Sequence, residues 1–95
     1  MPYQETSRIS YISILPELSN RQKECLIALK KIQPANNLML SRFIGIPINQ
    51  ITGRIFELRH KKLPLVRLHH VGACPISKET TRFYCIVSYV SDLME

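Results

Sequence analysis

From Asn49 to Arg54 the chain reads Asn-Gln-Ile-Thr-Gly-Arg, and three of those side chains are suited to hydrogen-bonding the edges of bases. Asn49 and Gln50 carry amides whose donor and acceptor match adenine, and Arg54 carries the planar fork that matches guanine. Gly53 stands among them without a side chain, which lets the backbone come close to another surface. A second set is cationic and better suited to phosphate: Arg42, Arg59, Lys61 and Lys62, with Lys78 and Arg82 further along. Phosphate contacts set register and affinity and carry little sequence information.

The charge distribution points the same way. Thirteen Lys and Arg against seven Asp and Glu give a net charge of +6. Six of the basic residues (Arg42, Arg54, Arg59, Lys61, Lys62 and Arg67) fall between positions 42 and 67 against one acid, Glu57, for a local +5. The rest of the chain is nearly balanced. A basic segment inside a balanced domain is the footprint expected for a polyanion, nucleic acid before membrane.

Other chemistries find little support. His69, His70, Cys74 and Cys85 invite a zinc reading, but the chain has no C-x2-C pair and no H-x3-5-H pair. Adjacent histidines on a strand are expected to point to opposite faces and so not to chelate together. The sequence therefore predicts no metal site. With glycine only at 45, 53 and 72 there is no phosphate-cradling loop, and the one aspartate is Asp92. There is no G-x-S-x-G nucleophile turn, so neither catalytic residues nor a cofactor are expected. No apolar run approaches the ~18 residues of a membrane span. The opening MPYQETSR lacks the basic-then-apolar layout of a signal peptide, so the expected location is cytoplasmic, with no membrane partner. The scattered Cys25, Cys74 and Cys85 read as reduced thiols rather than a disulfide framework.

These side chains must be positioned by a small number of elements, since 95 residues make one domain. Residues 1–17 form an N-terminal arm in which Ile9, Tyr11, Ile12, Ile14 and Leu15 supply apolar surface; partial alternation allows a short strand, which Pro16 should end. Ser19 and Gln22 fit a capping box, and Cys25, Leu26, Leu29 and Ile32 form one apolar stripe, which predicts a helix over 20–32 stopped by Pro34. Asn36 or Asn37 can cap a second, shorter helix through Ile44, with Gly45 at its left-handed end and Pro47 just after. A third helix runs from Ile48 or Asn49 to Lys61. With Ile51, Ile55 and Leu58 inward, its opposite face carries Asn49, Gly53, Phe56, Glu57 and His60, flanked by Gln50 and Arg54. Gly53 in mid-helix costs ~1 kcal/mol against Ala, a cost that close approach to a groove would explain.

After Pro64 the periodicity changes. Leu65 to Val71 and Arg82 to Val90 are rich in β-branched and aromatic residues and read as strands around a hairpin loop. On the second strand Phe83, Cys85, Val87 and Tyr89 share one face, and Tyr84, Ile86 and Ser88 the other. Both faces are largely apolar, so the strand is expected to be covered on both sides.

Three stretches, Leu18-Ser19-Asn20-Arg21-Gln22, then Ile44-Gly45-Ile46-Pro47-Ile48-Asn49-Gln50-Ile51-Thr52-Gly53-Arg54-Ile55, then Glu57-Leu58-Arg59, resemble the winged helix-turn-helix DNA-binding superfamily. The likeness is greater to its small phage- and prophage-encoded proteins, and Cys74-Pro75-Ile76-Ser77 is similar to their wing. It covers about residues 18–90. Asn36-Asn37-Leu38-Met39 departs from the more usual Thr-started second helix.

The expectation is thus an α+β winged helix-turn-helix domain over 18–91, followed by a C-terminal tail over 92–95. Its expected function is sequence-specific binding of double-stranded DNA as a small transcriptional regulator of phage origin. The third helix would enter the major groove, with Asn49, Gln50, Gly53 and Arg54 at the bases. Arg42, Arg59, Lys61, Lys62, Lys78 and Arg82 would lie on the backbone. Two rivals share the fold: a winged-helix protein-interaction module without DNA binding, and an excisionase-like architectural factor. One recognition helix covers only a few base pairs, so a homodimer through the N-terminal arm is also expected.

Overall fold

The computed structural model describes residues 15–88 and 90. The N-terminal arm expected over 1–17 lies outside them except for a 3-10 turn at Leu15–Glu17 containing Pro16. The C-terminal tail over 92–95 lies outside them altogether. Three helices are followed by a two-stranded antiparallel hairpin: α1 (Asn20–Ile32), α2 (Asn37–Ile44), α3 (Ile48–Arg59), β1 (Val66–Ala73) and β2 (Thr80–Ile86). This is the α+β layout of a winged helix-turn-helix. No helix among the described residues is long and apolar enough to cross a membrane.

Local chemistry explains each helix boundary. At α1 both halves of the capping box form: the Ser19 hydroxyl accepts from the Gln22 amide at 3.1 Å, and the Ser19 amide donates to Gln22 Oε1 at 2.9 Å. A cap of this kind contributes ~1 kcal/mol. At α2 the Asn36 side chain accepts from the Met39 amide at 2.8 Å. That helix ends at Gly45, whose φ of 86° is the left-handed conformation other residues adopt only with strain. Pro47 then stands at the start of α3, which has no side-chain cap. The third helix stops at Arg59 rather than Lys61. Its apolar stripe is complete at Leu58, and the Leu58 carbonyl is taken by the Leu65 amide at 2.9 Å as the chain turns toward the hairpin.

All three helices bury one face in a shared core. Leu26, Leu29, Leu40, Ile51, Ile55, Leu58 and Leu65 are almost completely enclosed, as is Cys25. Burial pushes the Cys25 thiol up to about 11, so it is an apolar core group at neutral pH.

Only the base of the hairpin reaches this core. In β1 Val66 is buried and the residues beyond it are largely exposed, whereas in β2 Phe83, Tyr84, Cys85 and Ile86 are all buried. Coverage on both faces of β2 is as the sequence suggests: Tyr84 and Ile86 join the main core, while Phe83 lies under the His70 ring, stacked at 4.6 Å and 5°. The far half of the hairpin projects as the wing. The second strand ends at Ile86, four residues short of Val90: the Val87 amide makes one more in-register bond to the Leu65 carbonyl, and the chain then turns, the Val90 amide donating to the Val87 carbonyl at 3.1 Å. On its other side β2 is held by Ala35, which exchanges two backbone hydrogen bonds with Tyr84 at 3.0 and 2.8 Å. Gln33 Oε1 adds a third tie, accepting from the Ile86 amide. The link between α1 and α2 thus fixes the wing to the helices.

Candidate nucleic-acid interface

The outward face of α3 is what its inward stripe leaves over. With Ile51, Ile55 and Leu58 packed inside, Asn49, Gln50, Phe56, Glu57 and His60 are exposed. Gly53 sits in the middle of that face, and a Cβ placed there would meet nothing within 4 Å. No neighbouring helix requires the missing side chain, so the position is open toward solvent.

Asn49 and Gln50 occupy the first turn, where Asn49 Oδ1 accepts from the Gln50 amide at 3.1 Å. Arg54 is more constrained than the sequence suggests. Its Nε and Nη2 donate to the two carboxylate oxygens of Glu57 at 2.7 and 2.8 Å, a bidentate fork one turn apart on the same helix. Glu57 Oε1 also accepts from Gln22 Nε2 at 2.9 Å. The capping glutamine of α1 thereby holds the carboxylate that holds Arg54. These hydrogen bonds raise the Arg54 guanidinium above its ordinary range and hold the Glu57 carboxyl below its own. To reach a base, Arg54 has to exchange this carboxylate for it. Phe56 follows on the same outer face. It is 60% exposed and its ring lies 4.2 Å from that of His60.

The cationic residues fall into several settings. Arg42 is exposed in the last turn of α2, and Lys62 is exposed just after α3, with Lys61 partly covered beside it. The Arg59 guanidinium lies 5.0 Å over the Tyr84 ring, a cation–π contact that fixes it between α3 and the wing. Lys78, at φ 68°, turns its ammonium back onto its own loop and donates to the Pro75 carbonyl at 3.0 Å. Arg82 is exposed on β2 and lines a cleft of about 330 Å³ between the start of α2 and the wing, with Ile48 and Ser77 on the same cleft. The first residue of α3, the wing loop and Arg82 therefore share one surface.

Two features were not readable from spacing. A β-bulge between Leu68 and His70 breaks the alternation of β1. The expectation that His69 and His70 point to opposite faces is therefore corrected: their Nδ1 atoms are 2.7 Å apart, because the extra residue of a bulge shifts the side-chain phase. Among the described residues no three His, Cys, Asp or Glu side chains come together to hold a metal. The second feature is the support of the wing. Asn36 is buried and donates from Nδ2 to the Thr81 hydroxyl at 2.9 Å while its Oδ1 caps α2. An Asn-Asn pair suggests a cap but not this cross-link to the hairpin.

Within the wing loop the Cys74 sulfur accepts from the Ile76 and Ser77 amides, both at 3.4 Å. The Ser77 amide first, then the Ser77 hydroxyl, the Asn36 side chain and the Ile76 amide lower the thiol from 9.0 to about 7 against the opposing effect of burial. A folded-state value below the unfolded one stabilises the fold above the unfolded value, and that contribution is lost as pH falls through the folded value. The melting temperature of the parent relative to Cys74→Ala is therefore expected to rise between pH about 7 and 9.0. A gap that stays constant across this window in calorimetry would show that the sulfur remains a thiol.

Comparison of the chain with known protein families, with curated proteins and with solved structures finds no match.

Proposed function

We propose that this protein is a member of the winged helix-turn-helix superfamily that binds double-stranded DNA sequence-specifically. In this reading it is a small transcriptional regulator of phage or prophage origin that works in the cytoplasm by binding alone, without catalysis or cofactor. The observation that carries the reading is the outer face of α3. Asn49 and Gln50 are exposed, Gly53 opens onto free space, and the face lies inside the segment of local charge +5. Such a helix can enter the major groove, with the glycine permitting close approach and the amides meeting base edges. Arg54 joins them after release from Glu57. Arg42, Lys61, Lys62 and Arg82, with Arg59 and Lys78 in support, meet the phosphates on either side.

A titration of duplex DNA at increasing salt tests this. If about four to six of the basic groups meet phosphate, log K falls against log[salt] with a slope of about −4 to −5. Salt-insensitive affinity, or no binding at low salt, removes the proposal. A second reading, a protein-interaction module, is favoured by the apolar exposure of Ile48 (45%) and Phe56 (60%) on the same helix, and would survive that failure. Binding with the expected slope but no sequence preference would instead indicate an architectural factor.

A further inference from the structure

The side of α1 that faces away from the core carries Asn20, Glu24, Ile27 and Lys31, all exposed and spaced four, three and four residues apart. That spacing places them on one face of a helix. Ile27 leaves 51% of its surface in solvent, and Phe43 of α2 leaves 52%. These two line a shallow depression with Ala28, Ile44, Glu24 and Lys31. Ala28 is buried and small, so the floor is low. The two apolar side chains stand at its sides, and a carboxylate and an ammonium stand three residues outward on either side of the Ile27–Ala28 step.

This arrangement is self-complementary. A two-fold axis through the midpoint of Ile27 and Ala28 maps position 27 onto 28 and position 24 onto 31. Two copies of α1 set antiparallel about that axis bring Glu24 of each opposite Lys31 of the other. Ile27 of each copy enters the low floor at Ala28 of the other, beside Phe43. A closed two-fold interface requires one patch to complement itself in this way. Glu24 has a 3.6 Å contact to Arg21 among the described residues, long enough that a better-placed ammonium competes with it.

We propose that the occupant of this face is a second copy of the chain, paired through antiparallel α1 helices, with Ile27 at the centre and two reciprocal Glu24–Lys31 ion pairs at the edges. None of these residues belongs to the outer face of α3, so the pairing stands whether or not the chain binds DNA. It also places the dimer on the helical body rather than on the N-terminal arm.

Sedimentation of the full chain from about 10 μM to about 1 mM, the range in which a small interface associates, gives the test. The parent is expected to show a monomer–dimer equilibrium. Glu24→Lys and Lys31→Glu, each placing like charges opposite one another twice, should weaken it at least about ten-fold. The double reversal, Glu24→Lys with Lys31→Glu, should restore it. Ile27→Asp should give monomer. The three positions changed here, Glu24, Ile27 and Lys31, lie on the surface of α1, and circular dichroism confirms that each variant is folded. A parent that stays monomeric overturns the proposal. So does a dimer indifferent to the single reversals and to Ile27→Asp, which is what an arm-built pair would show. Failure of the double reversal to restore association overturns the ion-pair geometry and the axis with it.

Discussion

Gly53→Leu is expected to remove binding to duplex DNA while leaving the domain at least as stable as the parent. The two effects have opposite signs, and that is the value of the substitution. A Cβ at 53 meets nothing within 4 Å, so no packing has to yield. Replacing a mid-helix glycine with a good helix former returns ~1 kcal/mol of intrinsic propensity, and the midpoint in urea should rise accordingly. On the DNA side, an isobutyl group in the centre of the outer face holds the backbone of α3 away from base edges that Asn49 and Gln50 must reach at ~3 Å. Affinity for a preferred site should fall more than about ten-fold, the equivalent of ~1.4 kcal/mol. A Gly53→Leu protein that is more stable and binds as the parent does would take α3 out of the groove.

Arg54→Ala carries the second large effect, and its direction depends on what Arg54 does when DNA arrives. If the guanidinium leaves Glu57 for a guanine, the substitution costs ~1–3 kcal/mol on the preferred site and much less on random duplex. Lys62→Ala, at a position suited only to phosphate, should weaken both DNAs about equally. Glu57→Gln provides the companion result. It removes the carboxylate that competes for Arg54 at 2.7 and 2.8 Å and takes a negative charge off the face presented to phosphates, so it should tighten binding. If Arg54 instead stays on Glu57 in the complex, Arg54→Ala lowers stability through the Gln22–Glu57 link without changing sequence preference. Paired binding and melting curves separate the two outcomes.

What the sequence made legible was local. Ser19 and Gln22 are three residues apart, and the capping box they form follows from that spacing. Asn36, Gly45 and Pro47 mark the ends of α2 by their own backbone preferences, and the period of Ile51, Ile55 and Leu58 decides which face of α3 turns outward. Each depends on residues within about one turn of one another. What was not legible depends on distant partners. The Arg54 fork involves Gln22, 35 residues before Glu57 in the chain, and nothing in the local pattern singles out that glutamine beyond its cap role. Ala35 pairing with Tyr84 and Asn36 with Thr81 likewise join segments brought together only by folding. The bulge that aligns His69 with His70 arises from the register of two strands, and no periodicity within β1 announces it. The strand expected through Val90 stops early because the chain turns after Val87, the Val90 amide donating to the Val87 carbonyl at 3.1 Å, and the run of β-branched and aromatic residues does not announce that turn.

The central claim is that α3 reads a DNA sequence. Selection of bound duplexes from a random library by the full-length protein tests it most directly. The account predicts enrichment of a defined short sequence containing adenine and guanine positions, and substitution of those positions should each cost ~1–3 kcal/mol in direct binding. Recovery of a pool with no common sequence, from a protein that is folded and assayed at low salt, would contradict it.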